Sequence, residues 1–211
     1  MTAWLLRYEG YDVGAEPLRE ALCTLGNGRF ATRGAAPESR AGGCHYPGTY
    51  AAGIFNRLGA DVDGHHVQNE SIVNLPDWQS LTMRSDGGDW VDVDTMAVSG
   101  YVQELDLRRG VLARRFTVTD VRGRRTAVAQ RRLVSMADPY LAGLEATFVA
   151  LNWSGRLEIR SGIDGRVRNG VLQRAAQPVH DVLRCRLRGI QAMPHRQFET
   201  WQAAARQGRQ A

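Results

Sequence analysis

VLARRFTVTDVRGRRTAVAQRRLV, residues 111–134, is the stretch on which the fold turns. From Val111 to Val118 apolar and polar residues roughly alternate, with Leu112, Phe116 and Val118 on one face, and that is the period of a half-buried strand. The turn DVRGRR at 120–125 follows, pivoting on Gly123, and Thr126 to Val134 reads as the returning strand. Downstream, Ala137-Asp138-Pro139 breaks the pattern, because proline cannot donate to a sheet ladder. Leu141 to Leu151 is then a strongly apolar strand, and Asn152-Trp153-Ser154-Gly155 turns the chain into an alternating segment, Arg156–Ser161. Turn signals recur about every ten residues, the mark of a sandwich or barrel. Upstream the chain is richer in glycine and loops, as in GNGRF at 26–30, AGGCHYPGTY at 41–50 and SDGGDW at 85–90. No helical repeat of useful length is expected before the tail, where good helix formers surround Trp201. The expected fold class is all-β, an antiparallel β-sandwich in one domain over residues 1–189, followed by a short tail at 190–211 that reads either as a frayed helix or as the start of an element that stops early.

Composition bounds the class of protein. The chain has 211 residues, 43% hydrophobic and 23% charged, which excludes a disordered or collagen-like polypeptide. A chain of this length buries roughly 70% of its unfolded surface, enough for a real core. No apolar run approaches the roughly 18 residues that span a bilayer, so no membrane partner is expected. The opening MTAWLLRYEGYDVGAEP places Glu9, Asp12 and Glu16 where a signal peptide needs an apolar stretch. Cys23, Cys44 and Cys185 are odd in number and widely spaced, fitting neither a disulfide framework nor a zinc ribbon. The expected compartment is the cytoplasm.

Charge is uneven. Residues 1–105 carry 7 Arg against 14 acids, and residues 106–211 carry 20 Arg against 8 acids, so a net +5 hides an acidic half and a basic half. All 27 cations are arginine. Guanidinium groups grip phosphates well, and a nucleic-acid binder is one reading. The arginines are spread along strands without a basic helix or RNA-binding signature, so codon bias is the preferred reading and no nucleic-acid partner is expected.

Several motifs invite chemistry and fail. Gly26-Asn27-Gly28 matches neither the dinucleotide nor the Walker pattern, and reads as a tight turn between strands. Asp61-Val62-Asp63-Gly64-His65-His66 with Glu70 lacks both calcium-loop and helical zinc spacing, and reads as a solvent-facing hairpin tip. No Ser, His and Asp set sits in a nucleophile-elbow context. No residue is assigned a catalytic or metal-binding role, and no cofactor is expected.

Two clusters are more suggestive. His45-Tyr46-Pro47-Gly48-Thr49-Tyr50, running on to Phe55-Asn56-Arg57, gathers aromatic rings and polar tips. Asn74-Leu75-Pro76-Asp77-Trp78 places an indole just after a proline. Flat aromatic faces beside amide, carboxylate and guanidinium groups suit a sugar, which presents C–H faces and hydroxyl edges together. Packing in a core or domain interface is the other reading of the same residues.

These clusters also carry a resemblance. LCTLGNGRFATRG (22–34), HYPGTYAAGIFNR (45–57) and NESIVNLPDW (69–78) follow one another in the order of the N-terminal domain of glycoside hydrolase family 65. LDLRRGVLARRF (105–116), RRLVSMADPYLAGLE (131–145) and NWSGRLEIRSGIDGRVRN (152–169) continue it. That family holds maltose, trehalose and kojibiose phosphorylases and some trehalose hydrolases. The resemblance runs from about Trp4 to about Arg188 and implies a large antiparallel sandwich, similar to the supersandwich of galactose mutarotase. It further implies that the sandwich precedes a helical linker and an (α/α)6 barrel, which carries the general-acid glutamate and the phosphate site. The implied chemistry is inverting: the acid protonates the glycosidic oxygen while phosphate attacks the opposite face of the sugar.

The sequence ends at Ala211, before a barrel could begin, so the chain is read as that domain without its barrel and as inactive alone. Inorganic phosphate would enter only as co-substrate with a barrel present. Trp78 is the first choice for a ring facing the acceptor sugar, with Asn74 and Asp77 in the same segment; Tyr46, Tyr50 and Arg57 come second. The expected partners are glucose or an α-glucoside disaccharide, bound weakly, and a family 65 barrel in the same or a separate chain. Self-association through bared strand edges and apolar patches is also expected. An autonomous carbohydrate-binding module without catalysis is the alternative.

Overall fold

The computed structural model describes residues 4–167; the expected boundary at 189 and the tail at 190–211 lie outside them. The first half runs β1 (Leu5–Glu9), α1 (Glu16–Leu22), β2 (Leu25–Gly26), β3 (Phe30–Thr32), β4 (Thr49–Ala51), β5 (Phe55–Val62) and β6 (His65–Ile72). The second half runs β7 (Leu81–Ser85), β8 (Ala97–Asp106), β9 (Val111–Thr119), β10 (Arg125–Val134), β11 (Ala142–Ala150) and β12 (Leu157–Ser161).

The deciding stretch forms the hairpin its alternation predicts. β9 and β10 pair antiparallel from Thr119↔Arg125 to Val111↔Leu133. Asp120 shapes the turn: its Oδ1 accepts the amides of Arg122 and Arg124 at 2.9 and 3.0 Å, and its carbonyl accepts that of Gly123 at 2.9 Å. The hairpin is the centre of a five-stranded antiparallel sheet in the order β1-β8-β9-β10-β11. Three smaller antiparallel sheets accompany it: β7 with β12, β2-β3-β4, and the hairpin β5-β6. The fold is an all-β sandwich of antiparallel sheets. No helix among the described residues is long and apolar enough to cross a membrane.

Two apolar clusters hold the layers together. Met83, Val91 and Val93 pack on Tyr101, Phe116, Val118 and Val128, joining the β7–β12 pair to the main sheet. Cys23 and Leu25 pack on Leu105, Leu112 and Val134, joining α1 and β2 to the same sheet. Between them runs a buried polar row, Gln103, Arg114 and Gln130, which are direct cross-strand partners on β8, β9 and β10. Arg114 shares the parity of Leu112, Phe116 and Val118 and faces inward with them.

Helix α1, seven residues long, is too short to be the helical repeat of useful length that the sequence lacks before the tail, and the sequence reading did not find it. Its seven residues start with a proline in the first turn, where the missing N–H costs nothing. It buries Glu16 and Glu20, at 1% and 0% exposure, and leaves Leu18 and Leu22 at 64% and 50%. This inverted amphipathicity hides the helix from any search for an apolar stripe.

Gly26-Asn27-Gly28 is the turn joining β2 to β3, with Asn27 Oδ1 accepting the amides of Arg29 and Phe30 at 2.9 and 3.1 Å. The run 61–70 forms the β5–β6 hairpin, whose Asp63-Gly64 tip has both φ angles positive, as a two-residue hairpin turn requires. Apart from its strand pairing, most of this arm is exposed.

Candidate functional site

The segment 74–78 is strapped to the loop that carries Tyr46 and Tyr50. Asn74 Oδ1 accepts the Thr49 amide at 2.9 Å, Asn74 Nδ2 donates to the Pro47 carbonyl at 3.2 Å, and the Leu75 amide donates to the Thr49 carbonyl at 2.7 Å. The Arg33 guanidinium lies 5.2 Å from the centroid of the Tyr46 ring and donates from Nε to the Tyr46 carbonyl at 2.9 Å. Gly48 makes this closeness feasible: a Cβ there would lie 2.8 Å from Arg33 Cδ and 2.8 Å from the Tyr50 ring and hydroxyl. Burial, followed by a hydrogen bond with Tyr46, raises the Tyr50 phenol above its ordinary value.

Asp77 and Trp78 continue the same segment. Asp77 is buried, accepts the Gln79 amide at 2.9 Å and pairs its backbone with Asp164. Burial pushes its carboxyl above the usual range. Trp78 is half-buried, and its indole Nε1 is enclosed with no hydrogen-bond partner among the described residues. Arg57 is placed elsewhere, on the β5–β6 arm, with its Nε 2.5 Å from Glu70 Oε1. Asn74 is thus tied to the loop of Tyr46 and Tyr50, Asp77 and Trp78 follow it along the chain, and Arg57 stands apart.

A cleft of about 360 Å³ is lined by residues that include Glu38, Arg40, His45, Trp90, Asp94 and Arg160, and none of the six candidate residues lines it. The Trp90 ring is flanked by Arg84 and Arg160, at 4.7 and 4.3 Å from its centroid. His45 is buried at its edge. Its Nδ1 lies 2.7 Å from Glu20 Oε1, and its Nε2 lies 3.1 Å from both oxygens of Asp94. Glu20 Oε2 accepts the Tyr46 amide at 2.9 Å, so one carboxylate on α1 holds both the imidazole and the loop of Tyr46. The Tyr11 hydroxyl donates to Asp94 Oδ1. Burial by itself would lower the His45 pKa; the hydrogen bonds to Glu20 and Asp94 outweigh it and raise it to about 9. Burial opposes ionisation of Asp94 as well, and the bonds from Tyr11 and His45 still hold its carboxyl below the usual range.

Under the cleft, Glu38 Oε2 accepts from Arg114 Nη1 at 2.8 Å, Gln130 Oε1 accepts from the same nitrogen at 3.0 Å, and Gln130 Nε2 donates to Glu38 Oε1. The Arg114 guanidinium stacks over Tyr101 and Phe116 at 5.5 and 4.7 Å. Arg132 Nη1 donates to the Ala35 carbonyl at 2.8 Å and to Gln79 Oε1. Burial, then the nearby Arg114 charge, lowers Arg132 to about 10. Sequence reasoning missed Glu16, Glu20, Glu38, Asp94 and the two arginines. The available signal was parity: Arg114 aligns with the apolar face of β9, and Gln130 and Arg132 align with Val128 and Val134 on β10.

Comparison with known proteins bears on the family and the fold. The family described as glycosyl hydrolase family 65, N-terminal domain, matches residues 6–202. An uncharacterized glycosyl hydrolase of Mycobacterium tuberculosis is 48% identical over 174 residues, covering 82% of this chain and 13% of the relative. Trehalose 6-phosphate phosphorylase of Lactococcus lactis is 32% identical over 172 residues, covering 81% of this chain and 22% of the relative. A solved structure described as a kojibiose phosphorylase from the human microbiome superposes with a TM-score of 0.62 at 21% identity, over 69% of this chain and 19% of that one, a likeness of fold. The chain thus spans between 13% and 22% of the length of these relatives. With the family's sequence match extending across nearly the whole polypeptide, the chain belongs to glycosyl hydrolase family 65, in the part of the family that forms its N-terminal domain.

Proposed function

We propose that this domain serves a disaccharide phosphorylase of α-glucoside metabolism, packing on an (α/α)6 barrel and lending it one wall of the sugar site. The observation that carries this reading is the strap from Asn74 to Pro47 and Thr49, which sets Tyr46 and Tyr50 beside the segment bearing Asp77 and Trp78. Aromatic faces with amide and carboxylate groups suit the mixed surface of a sugar. The name of the Lactococcus relative, a phosphorylase of trehalose 6-phosphate, supports phosphorolysis over hydrolysis. General acid and phosphate site are assigned to the barrel, in the same chain or a separate one. The cytoplasm is the proposed compartment, in keeping with the free thiols of Cys23 and Cys44.

Calorimetric or NMR titration of the chain with glucose, kojibiose, trehalose and maltose tests the wall. The expected result is millimolar binding, about 4 kcal/mol, weakened at least severalfold by Trp78→Phe and by Tyr50→Phe with the fold intact. Unchanged affinity in both variants would return these rings to a packing role. Micromolar binding by the chain alone would favour a free-standing carbohydrate-binding module.

A further inference from the structure

We propose that Cys44, His45 and Asp94 form a three-ligand zinc(II) site whose fourth position opens onto the cleft. The Cys44 thiol, the His45 imidazole and an Asp94 oxygen each offer a donor atom, all within 4.8 Å of one another. All three residues line the cleft. A sulfur, a nitrogen and an oxygen together match zinc, a borderline-soft ion, rather than magnesium or calcium, which take oxygen ligands.

The imidazole and carboxylate already stand near zinc spacing, while donor atoms up to 4.8 Å apart must close to about 3.6 Å for the Cys44 sulfur to bind as well. His45 Nε2 stands 3.1 Å from both Asp94 oxygens. A tetrahedral centre with Zn–N and Zn–O bonds of about 2.1 Å sets those atoms about 3.4 Å apart. The imidazole is also prepared from behind. Its Nδ1 is held at 2.7 Å by Glu20, a fully buried carboxylate, so that Nε2 is the nitrogen turned to the ion. A carboxylate behind the histidine is the arrangement that orients metal-bound imidazoles and raises their basicity. Tyr11 fixes Asp94 through Oδ1 and leaves Oδ2 for the ion.

Backbone geometry presents the ligands. Paired hydrogen bonds between Gly42 and His45, at 3.1 and 3.0 Å, close the loop that carries Cys44 and His45. The Asp94 amide donates to Asp92 Oδ1 at 2.9 Å, shaping the opposing turn. Zinc binding displaces the protons on Nε2 and on the Cys44 thiol to solvent, and the thiolate, the carboxylate and the neutral imidazole become the ligands. The ion would tie the 42–45 loop to the 92–94 turn and hold a water or a ligand oxygen toward Trp90 and Arg160. Nothing in this inference depends on the sugar-binding reading.

The test uses the whole 211-residue chain with cobalt(II) as a spectroscopic stand-in for zinc, followed by zinc competition and thermal melting. One equivalent of cobalt should give a thiolate-to-cobalt charge-transfer band with intense visible bands of a tetrahedral centre, both removed by zinc. Zinc should raise the melting temperature, and a chelator should reverse the rise. Cys44→Ser, on a partly exposed turn, should abolish the charge-transfer band, whereas Cys185→Ser should keep it. Glu20→Gln should keep the band while weakening affinity about 10–100-fold. A wild-type chain without the band, or a Cys44→Ser variant with an undiminished one, overturns the proposal.

Discussion

Arg114 is carried into the interior by the alternation of its own strand, and its charge is tolerated there because Glu38 and Gln130 meet it. The side chains of Arg114 and Glu38 are 4% and 2% exposed, so breaking the pair leaves an ion stranded in a low-dielectric layer. Glu38→Gln should therefore cost about 3–5 kcal/mol in urea unfolding, and combining it with Arg114→Met should recover part of that loss. A single mutant as stable as wild type would show that water reaches the guanidinium. Asp77 gives the opposite case. Burial raises its folded-state pKa above the unfolded value, so its contribution to stability is fully present below the ordinary carboxylate pKa and lost as pH rises through the folded one. Asp77→Asn keeps an oxygen for the Gln79 amide and should be more stable than wild type at neutral pH. The advantage should shrink to nothing near pH 4, as followed by melting temperature. The aromatic loop with Tyr46 and Tyr50 and the segment with Asn74, Asp77 and Trp78 stood out in the sequence as two separate clusters; the Asn74 strap that joins them did not. Nor did Glu20 and Asp94, because a lone acid far along the chain gives no local sign of the histidine it will meet.

At the scale of elements, strands announced themselves and the helix did not. The β9–β10 hairpin was legible because alternation and an Asp-x-x-Gly turn agree. Helix α1 was illegible because it buries carboxylates and exposes leucines, the reverse of the pattern that marks an amphipathic helix. What docks α1 is a close approach at Gly34. The Gly34 amide donates to the Glu20 carbonyl at 2.7 Å, and a Cβ on Gly34 would stand 2.6 Å from Cys23 Cβ and 3.1 Å from the Glu20 carbonyl oxygen. Backbone and a core side chain cannot both give way cheaply. Gly34→Ala should push α1 off the sheet and cost about 1–3 kcal/mol, read as a lower urea midpoint. It should also speed hydrogen exchange at the amides of Gly34 and Tyr46, since Tyr46 donates to the carboxylate that α1 supplies. A midpoint equal to wild type would mean that α1 is held elsewhere.

At the scale of the molecule, layers and order follow the resemblance, while the β5–β6 arm shows why a strand pattern does not reveal where a strand goes. Its two eight-residue strands pair regularly with each other, yet they pair with no other sheet among the described residues. An isolated two-stranded hairpin is marginal in water without a covering surface. The arm carries exposed apolar residues on both of its faces. Phe55 and Ile72 are direct cross-strand partners, 55% and 42% exposed, and Val62 and Val67 near the tip are 54% and 49% exposed. Fully burying side chains of this size is worth about 1.5–3 kcal/mol each. The barrel proposed above is one cover; in its absence a second copy is the available one. The chain at high concentration should therefore show a rising apparent mass by light scattering and bind an apolar-sensing dye. Val67→Lys with Ile72→Lys should lower both signals without moving the melting temperature, because neither residue belongs to a core cluster. A wild-type chain that scatters as a monomer and binds no dye would remove the arm as an association surface. Loss of both signals together with a lower melting temperature would show instead that the arm is already packed within the domain.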